Sequence, residues 1–212
     1  LRALAVLAVV FFHMGLPGFS GGYIGVDVFF VISGYLITSK ILEKLESNDF
    51  SRVQFYASRA RRLLPSLFVT LIGIIIASFS FLSPDEMREM VQGIVGGILF
   101  VSNVVYWVNI DYFNPQSEYS PVLHIWSLSV EEQFYFLYPI FFATLFFFVN
   151  KEKIIIFLFL VSLISVALSE YSSLNHPSAN FYLLPFRIWE FGAGAIIAVL
   201  QGGGRIKNSN FF

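Results

Sequence analysis

LRALAVLAVVFFHMGLPGFSGGYIGVDVFFVISGYL, residues 1–36, is two apolar runs joined by a glycine-rich turn. Three ionisable side chains, Arg2, His13 and Asp27, interrupt it. If the first run is helical, Arg2 and His13 lie about three turns apart at ~3.6 residues per turn, on one face and roughly 16 Å from each other. A charge at membrane depth costs about 2.5–3.5 kcal/mol on insertion scales, and such residues face a bundle interior or a wet cavity. A plainer reading stands beside this one. Arg2 would snorkel to the cytoplasmic surface and His13 would close the far end of the helix.

The rest of the chain has the same character. Of 212 residues, 57% are hydrophobic and 13% charged, with 26 Phe. Soluble domains carry about 25% charged residues, so the composition belongs to a multi-pass membrane protein. The absence of Cys excludes a thiolate nucleophile, a disulfide framework and Cys-based metal sites. His13, His124 and His176 lack metal-ligand spacing, so no metal is expected. No basic stripe with interleaved aromatics suggests nucleic acid.

Spans need about 20 apolar residues. Candidates are Leu1–Met14, Val26–Leu42, Leu63–Leu82, Val91–Val108, Leu128–Val149, Ile154–Leu168 and Leu184–Leu200. Long runs without alternation exclude barrel strands. The stretch Lys40–Arg62 carries Lys40, Lys44, Arg52, Arg59, Arg61 and Arg62, and by the positive-inside rule this loop is cytoplasmic. Counting every later segment as a span would put Lys151, Lys153, Arg205 and Lys207 outside. Treating Val91–Val108, weakened by Gly93, Gly96, Gly97 and Asn103, as re-entrant removes the conflict. The expectation is an all-α polytopic membrane bundle: one domain over 1–212, about six spans and one re-entrant or interfacial helix. The chain is expected to be truncated at both ends.

Two further stretches could carry chemistry. Arg59, Arg61 and Arg62 form a candidate anion clamp, Arg59 and Arg62 sharing a helix face; guanidinium forks hold phosphates bidentately. The same residues also serve as topological charges that meet anionic headgroups. In HIWSLSVEEQFY (residues 124–135), His124, Ser127 and Glu131 follow an i, i+3, i+7 pattern, which would set an imidazole beside a carboxylate, the pairing of a general base. Glu132 is turned roughly 100° from Glu131. An interfacial helix start explains the two acids equally well. Arg187 and Glu190, three apart, read as a structural ion pair within the last span.

Arg2 to His13 with ten residues between, GVDVFFVISGYLIT (25–38), RARRLLP (59–65), HIWSLSVEEQFYFLYP (124–139) and RIWEFGAG (187–194) together resemble the membrane-bound acyltransferase family 3, the O-acetylases of bacterial surface polysaccharides. The resemblance covers nearly the whole chain, and that family's domain has about ten spans. It implies an enzyme of the cytoplasmic (inner) membrane. Such an enzyme moves an acetyl or short acyl group from cytoplasmic acetyl-CoA, a co-substrate, to a hydroxyl of an envelope polysaccharide. It further implies that Arg59 and Arg62, with Arg61 between them, hold the CoA phosphates. His13 would act as base or transient acyl carrier, and Arg2 would place the donor. Asp27, by position, would orient His13. The acceptor sugar and the oligomeric state stay open. A transporter or flippase using Arg, His and Asp as a substrate or proton path is the competing class, and a non-catalytic membrane partner is a further one.

Overall fold

The computed structural model describes residues 1–109 and 120–208, the last six by their backbone alone. Arg205 and Lys207, which entered the orientation argument, therefore lie outside the described side chains. The described residues are helical and include no strand. Helices run α1 (Arg2–His13), α2 (Gly25–Glu46), α3 (Arg52–Ser78), α4 (Pro84–Ile98), α5 (Ser102–Asn109), α6 (Ile125–Phe148), α7 (Lys151–Asn175), α8 (Pro177–Tyr182) and α9 (Ile188–Asn208). Three stretches, Gly22–Glu46, Arg52–Ser78 and Lys151–Asn175, are long and apolar enough to cross a membrane. α1 and α9 are apolar but shorter. α6 has the length, about 36 Å at ~1.5 Å per residue, but its first turns carry Ser127, Ser129, Glu131, Glu132 and Gln133.

The chain divides into two compact units. The first comprises residues Leu1–Asp49, Leu137–Tyr171 and those from Pro185 onward. Here α1 and α2 form an antiparallel hairpin at backbone contact. A Cβ on Gly25 would strike the Ala5 carbonyl, and one on Gly22 the Ala8 carbonyl, so the glycines of the turn let the two helices close. α2 and α9 run parallel: Asp27 meets Arg187, the rings of Phe30 and Phe191 stack at 4.7 Å, and Tyr35 Oη donates to Gln201. A Cβ on Gly34 would run into the Phe191 backbone and one on Gly194 into the Val31 carbonyl. Gly194→Ala is therefore expected to cost about 1–3 kcal/mol, the usual range for overpacking, and to deplete folded protein in the membrane fraction. Gly73→Ala, which meets nothing within 4 Å, should leave that level unchanged. α7 runs against α9: Ser165 lies by Trp189, and Ser162 faces Gly192. Tyr138 shares a 2.7 Å hydrogen bond with Thr38, and Phe146 joins the C-terminal turns of α2 and α9 around one cavity, so the later half of α6 runs with them. Lys151, opening α7, acts electrostatically on Glu46, closing α2. Each helix of this unit thus reverses or repeats direction as the expected alternation of spans requires.

The second unit comprises residues 50–136 and 172–184. The first half of α6 packs antiparallel on α3, with Tyr56 Oη donating to the Phe136 carbonyl and Arg59 meeting Glu132. Between them α4 and α5 fold back on each other: Gly93 faces Tyr106 and Gly96 faces Ser102. The break is at Phe100, whose φ is 55°, and its carbonyl accepts from Gln133 Nε2 at 2.8 Å. Ser102 and Ser129 share a hydroxyl bond of 2.7 Å, while Asn103 bonds Gln133 and the Tyr182 carbonyl. Helices of 15 and 8 residues reach about 22 and 12 Å at ~1.5 Å per residue. Neither crosses a bilayer, and the pair behaves as the re-entrant reading of Val91–Val108 expects. Ser83 and Glu86 form a capping box at the start of α4, and the two hydrogen bonds from Ser83 hold the Glu86 carboxyl below its usual range.

The stretch 40–62 is not a loop. α2 runs to Glu46, only residues 47–51 connect, and α3 begins at Arg52, well before the apolar run at Leu63. Ser51 caps that start, its side chain accepting from the Gln54 amide. Hydropathy marks where a helix meets hydrocarbon, whereas helix ends follow from caps.

Candidate functional site

In the first unit, α1 ends at His13, and the imidazole stands exposed there. Its Nδ1 lies 2.8 Å from the Val9 carbonyl. A carbonyl only accepts, so Nδ1 carries the hydrogen and donates. In the neutral ring Nε2 is then the acceptor, with its lone pair available. Asp27, the expected orienter of His13, is engaged elsewhere: its Oδ1 accepts from Arg187 Nη1 at 2.9 Å. Orientation of the imidazole thus comes from its own helix, one turn back.

Arg2 lies partly buried at the other end of α1. Its Nη2 donates to Ser33 Oγ at 2.8 Å, and its guanidinium sits 5.0 Å from the centre of the Phe29 ring. Ser33 is eight residues into α2, and a further thirteen follow before Glu46. At ~1.5 Å per residue Arg2 is about 20 Å short of the basic end of α2. That distance exceeds the reach of a snorkelling side chain, so the plainer reading of Arg2 fails. It is a cation at depth, held by a hydroxyl and an aromatic face.

Arg187 Nη1 also donates to Glu190 Oε1 at 2.9 Å, the pairing the i, i+3 spacing predicts. Asp27, 160 residues away in sequence, is the partner that spacing does not reveal.

In the second unit, Arg59 is committed to Glu132. Nε lies 2.8 and 2.9 Å from the two carboxylate oxygens, Nη2 closes on Oε1, and the guanidinium sits 3.4 Å from the centre of the Tyr135 ring. Tyr135 Oη donates to Glu131 Oε1 at 2.6 Å. Glu131 and Glu132 therefore take different partners, as a 100° separation implies. Arg59 is a fork already filled by a carboxylate, whereas Arg61 and Arg62 are exposed. Glu132 and Tyr135, absent from the expected site, share a face at i, i+3; that spacing was the available signal. His124 precedes α6 rather than lying within it; its carbonyl accepts from Ser127 Oγ, and its side chain is exposed while Glu131 is buried. The imidazole borders a groove of about 190 Å³ between α3 and α6, lined also by Ser66, Thr70, Leu67 and Leu128. Among the described residues, no group of three His, Asp or Glu is placed to hold a metal ion.

These features meet known sequences as follows. Residues 1–212 match the model of the family described as Acyltransferase domain. A protein of Staphylococcus aureus (strain COL) bearing the name "Putative O-acetyltransferase SACOL0978" is 36% identical over 213 residues, covering 98% of this chain and 35% of that protein. The O-acetyltransferase OatA of Staphylococcus aureus (strain NCTC 8325 / PS 47) is 39% identical over 172 residues, covering 79% of this chain and 28% of its own length. The chain thus spans about a third of the length of the curated relatives it matches. No solved structure matches it.

Proposed function

The chain belongs to the acyltransferase-domain family, and from that premise we propose that it forms part of a membrane O-acetyltransferase acting on an envelope glycan. Both compact units belong, in this reading, to one domain in the cytoplasmic membrane. The donor is acetyl-CoA or a similar short acyl-CoA, and the acceptor is a hydroxyl of a surface or envelope polysaccharide. The observation that carries the reading is the His13 tautomer. Nδ1 is occupied by the Val9 carbonyl, so Nε2 faces outward as a base on the end of an apolar helix.

The reaction needs a base of that kind. The glycan hydroxyl loses its proton to His13 Nε2 as its oxygen attacks the thioester carbonyl; the carbon–sulfur bond breaks, and the imidazolium returns the proton to the departing CoA thiolate. Arg2, fixed by Ser33 and Phe29, supplies positive charge along the same helix for an anionic group of the donor or for charge developing in the reaction. Arg61 and Arg62, exposed at the polar start of α3, replace Arg59 as the groups for the CoA phosphates. His124 and the buried Glu131 stand in this reading as a second polar site of the same domain.

Labelled acetyl-CoA supplied to membranes holding the full-length protein tests the proposal. Label is expected in alkali-labile esters of the glycan. Movement of glycan across the membrane without ester formation would favour a flippase instead. Replacing Arg61 and Arg62 together by Ala should raise KM for the acyl donor about tenfold, the effect of losing roughly 1.4 kcal/mol of charge-assisted contact, while KM for the glycan stays put.

A further inference from the structure

We infer that Glu190 is a buried proton-binding site: its carboxyl is neutral in the folded protein, and Asp27 alone completes the ion pair with Arg187. The inference rests on the packing of the first unit and is independent of the acyl-transfer reading.

One guanidinium nitrogen, Arg187 Nη1, donates to Asp27 Oδ1 and to Glu190 Oε1, both at 2.9 Å. The two acids differ in access to water. The Asp27 side chain is 31% exposed and that of Glu190 is 0%. Glu190 Oε2 is buried and has no hydrogen-bond partner among the described residues. Asp27 from α2 and Arg187 from the turn before α9 are the charged groups that act on Glu190. The hydroxyls offered by α7 are already used: Ser162 Oγ donates to the Leu158 carbonyl, and Ser165 Oγ donates to the Pro185 carbonyl and accepts from the Trp189 amide. Beside it the rings of Phe30 and Phe191 stack.

With both acids ionised, this cluster would carry a net negative charge on its dry side, with an oxygen facing nothing. An isolated carboxylate in such surroundings takes up a proton rather than remain charged, and two carboxylates on one cation divide their roles in that way. The neutral carboxyl still accepts from Arg187 through Oε1. An O–H lacking an acceptor is a smaller penalty than an anion lacking its solvation. The proton is held next to Gly34 and Gly194, where α2 and α9 approach most closely. Its loss at alkaline pH would set a second anion against this seam and loosen it.

The test uses the full-length protein in nanodiscs, read by infrared spectroscopy and by melting temperature against pH. At neutral pH a carbonyl band of a protonated carboxylic acid is expected, absent from Glu190→Gln. The unaltered protein should lose melting temperature as pH rises through the titration of this group. Glu190→Gln should not show that slope. No protonated-carboxyl band in the unaltered protein, or a band and slope that persist in Glu190→Gln, would overturn the inference. So would a Glu190→Gln protein that fails to fold, because a neutral isostere is what the site is said to hold already.

Discussion

His13→Ala should abolish ester formation from labelled acetyl-CoA while the protein still reaches the membrane. A positioned general base contributes about 10²–10⁴-fold, and the donor's thioester cannot make up for a missing base on the acceptor hydroxyl. His13 is exposed at the last turn of α1, and its described contacts are the Val9 carbonyl and the edge of the Phe12 ring. The substitution therefore leaves no buried group unsatisfied, and protein levels should hold. His13→Gln is the sharper variant. Its amide can still donate to the Val9 carbonyl, so α1 keeps its end contact and only the base is removed. Activity in either variant at the level of the unaltered protein would exclude His13 from the chemistry.

Arg59→Ala should destabilise the protein by about 3 kcal/mol, the lower end of the range for breaking a buried pair by removing one partner. It strands Glu132, whose side chain is only 11% exposed. Glu132→Ala should cost a comparable amount, since it strands a guanidinium stacked on Tyr135. The double variant Arg59→Met with Glu132→Leu should recover most of the loss, because a packed apolar pair avoids the desolvation of both charges. Thermal melting of the four proteins closes the cycle. A phosphate-binding Arg59 would behave otherwise. Glu132→Ala would then release a clamp from its competitor and tighten donor binding without loss of stability.

The helices were legible in the sequence wherever an apolar run made the choice local. The 3.6-residue spacing alone joined Arg187 to Glu190, since both partners lie on one helical turn. Glycines and amides within 92–103 marked the break between α4 and α5, because short helices with polar faces cannot be left in hydrocarbon. The starts of α2 and α3 were less legible, as polar helical turns outside the bilayer leave no hydropathy signal. His124 fell just outside α6 for the same reason, and the expected face shared with Glu131 did not form as drawn.

By itself the sequence determined that this is an all-α membrane protein with a basic side, an imidazole on its first helix and an acyltransferase pattern, because hydrocarbon solvation and helical periodicity act residue by residue. Only the tertiary structure decided which charge answers which. Asp27 pairs with Arg187 across 160 positions and Arg59 with Glu132 across 73. Such pairings depend on which helices lie side by side. Glycines at 34 and 194 set that adjacency by letting two backbones touch, a contact that no local pattern encodes.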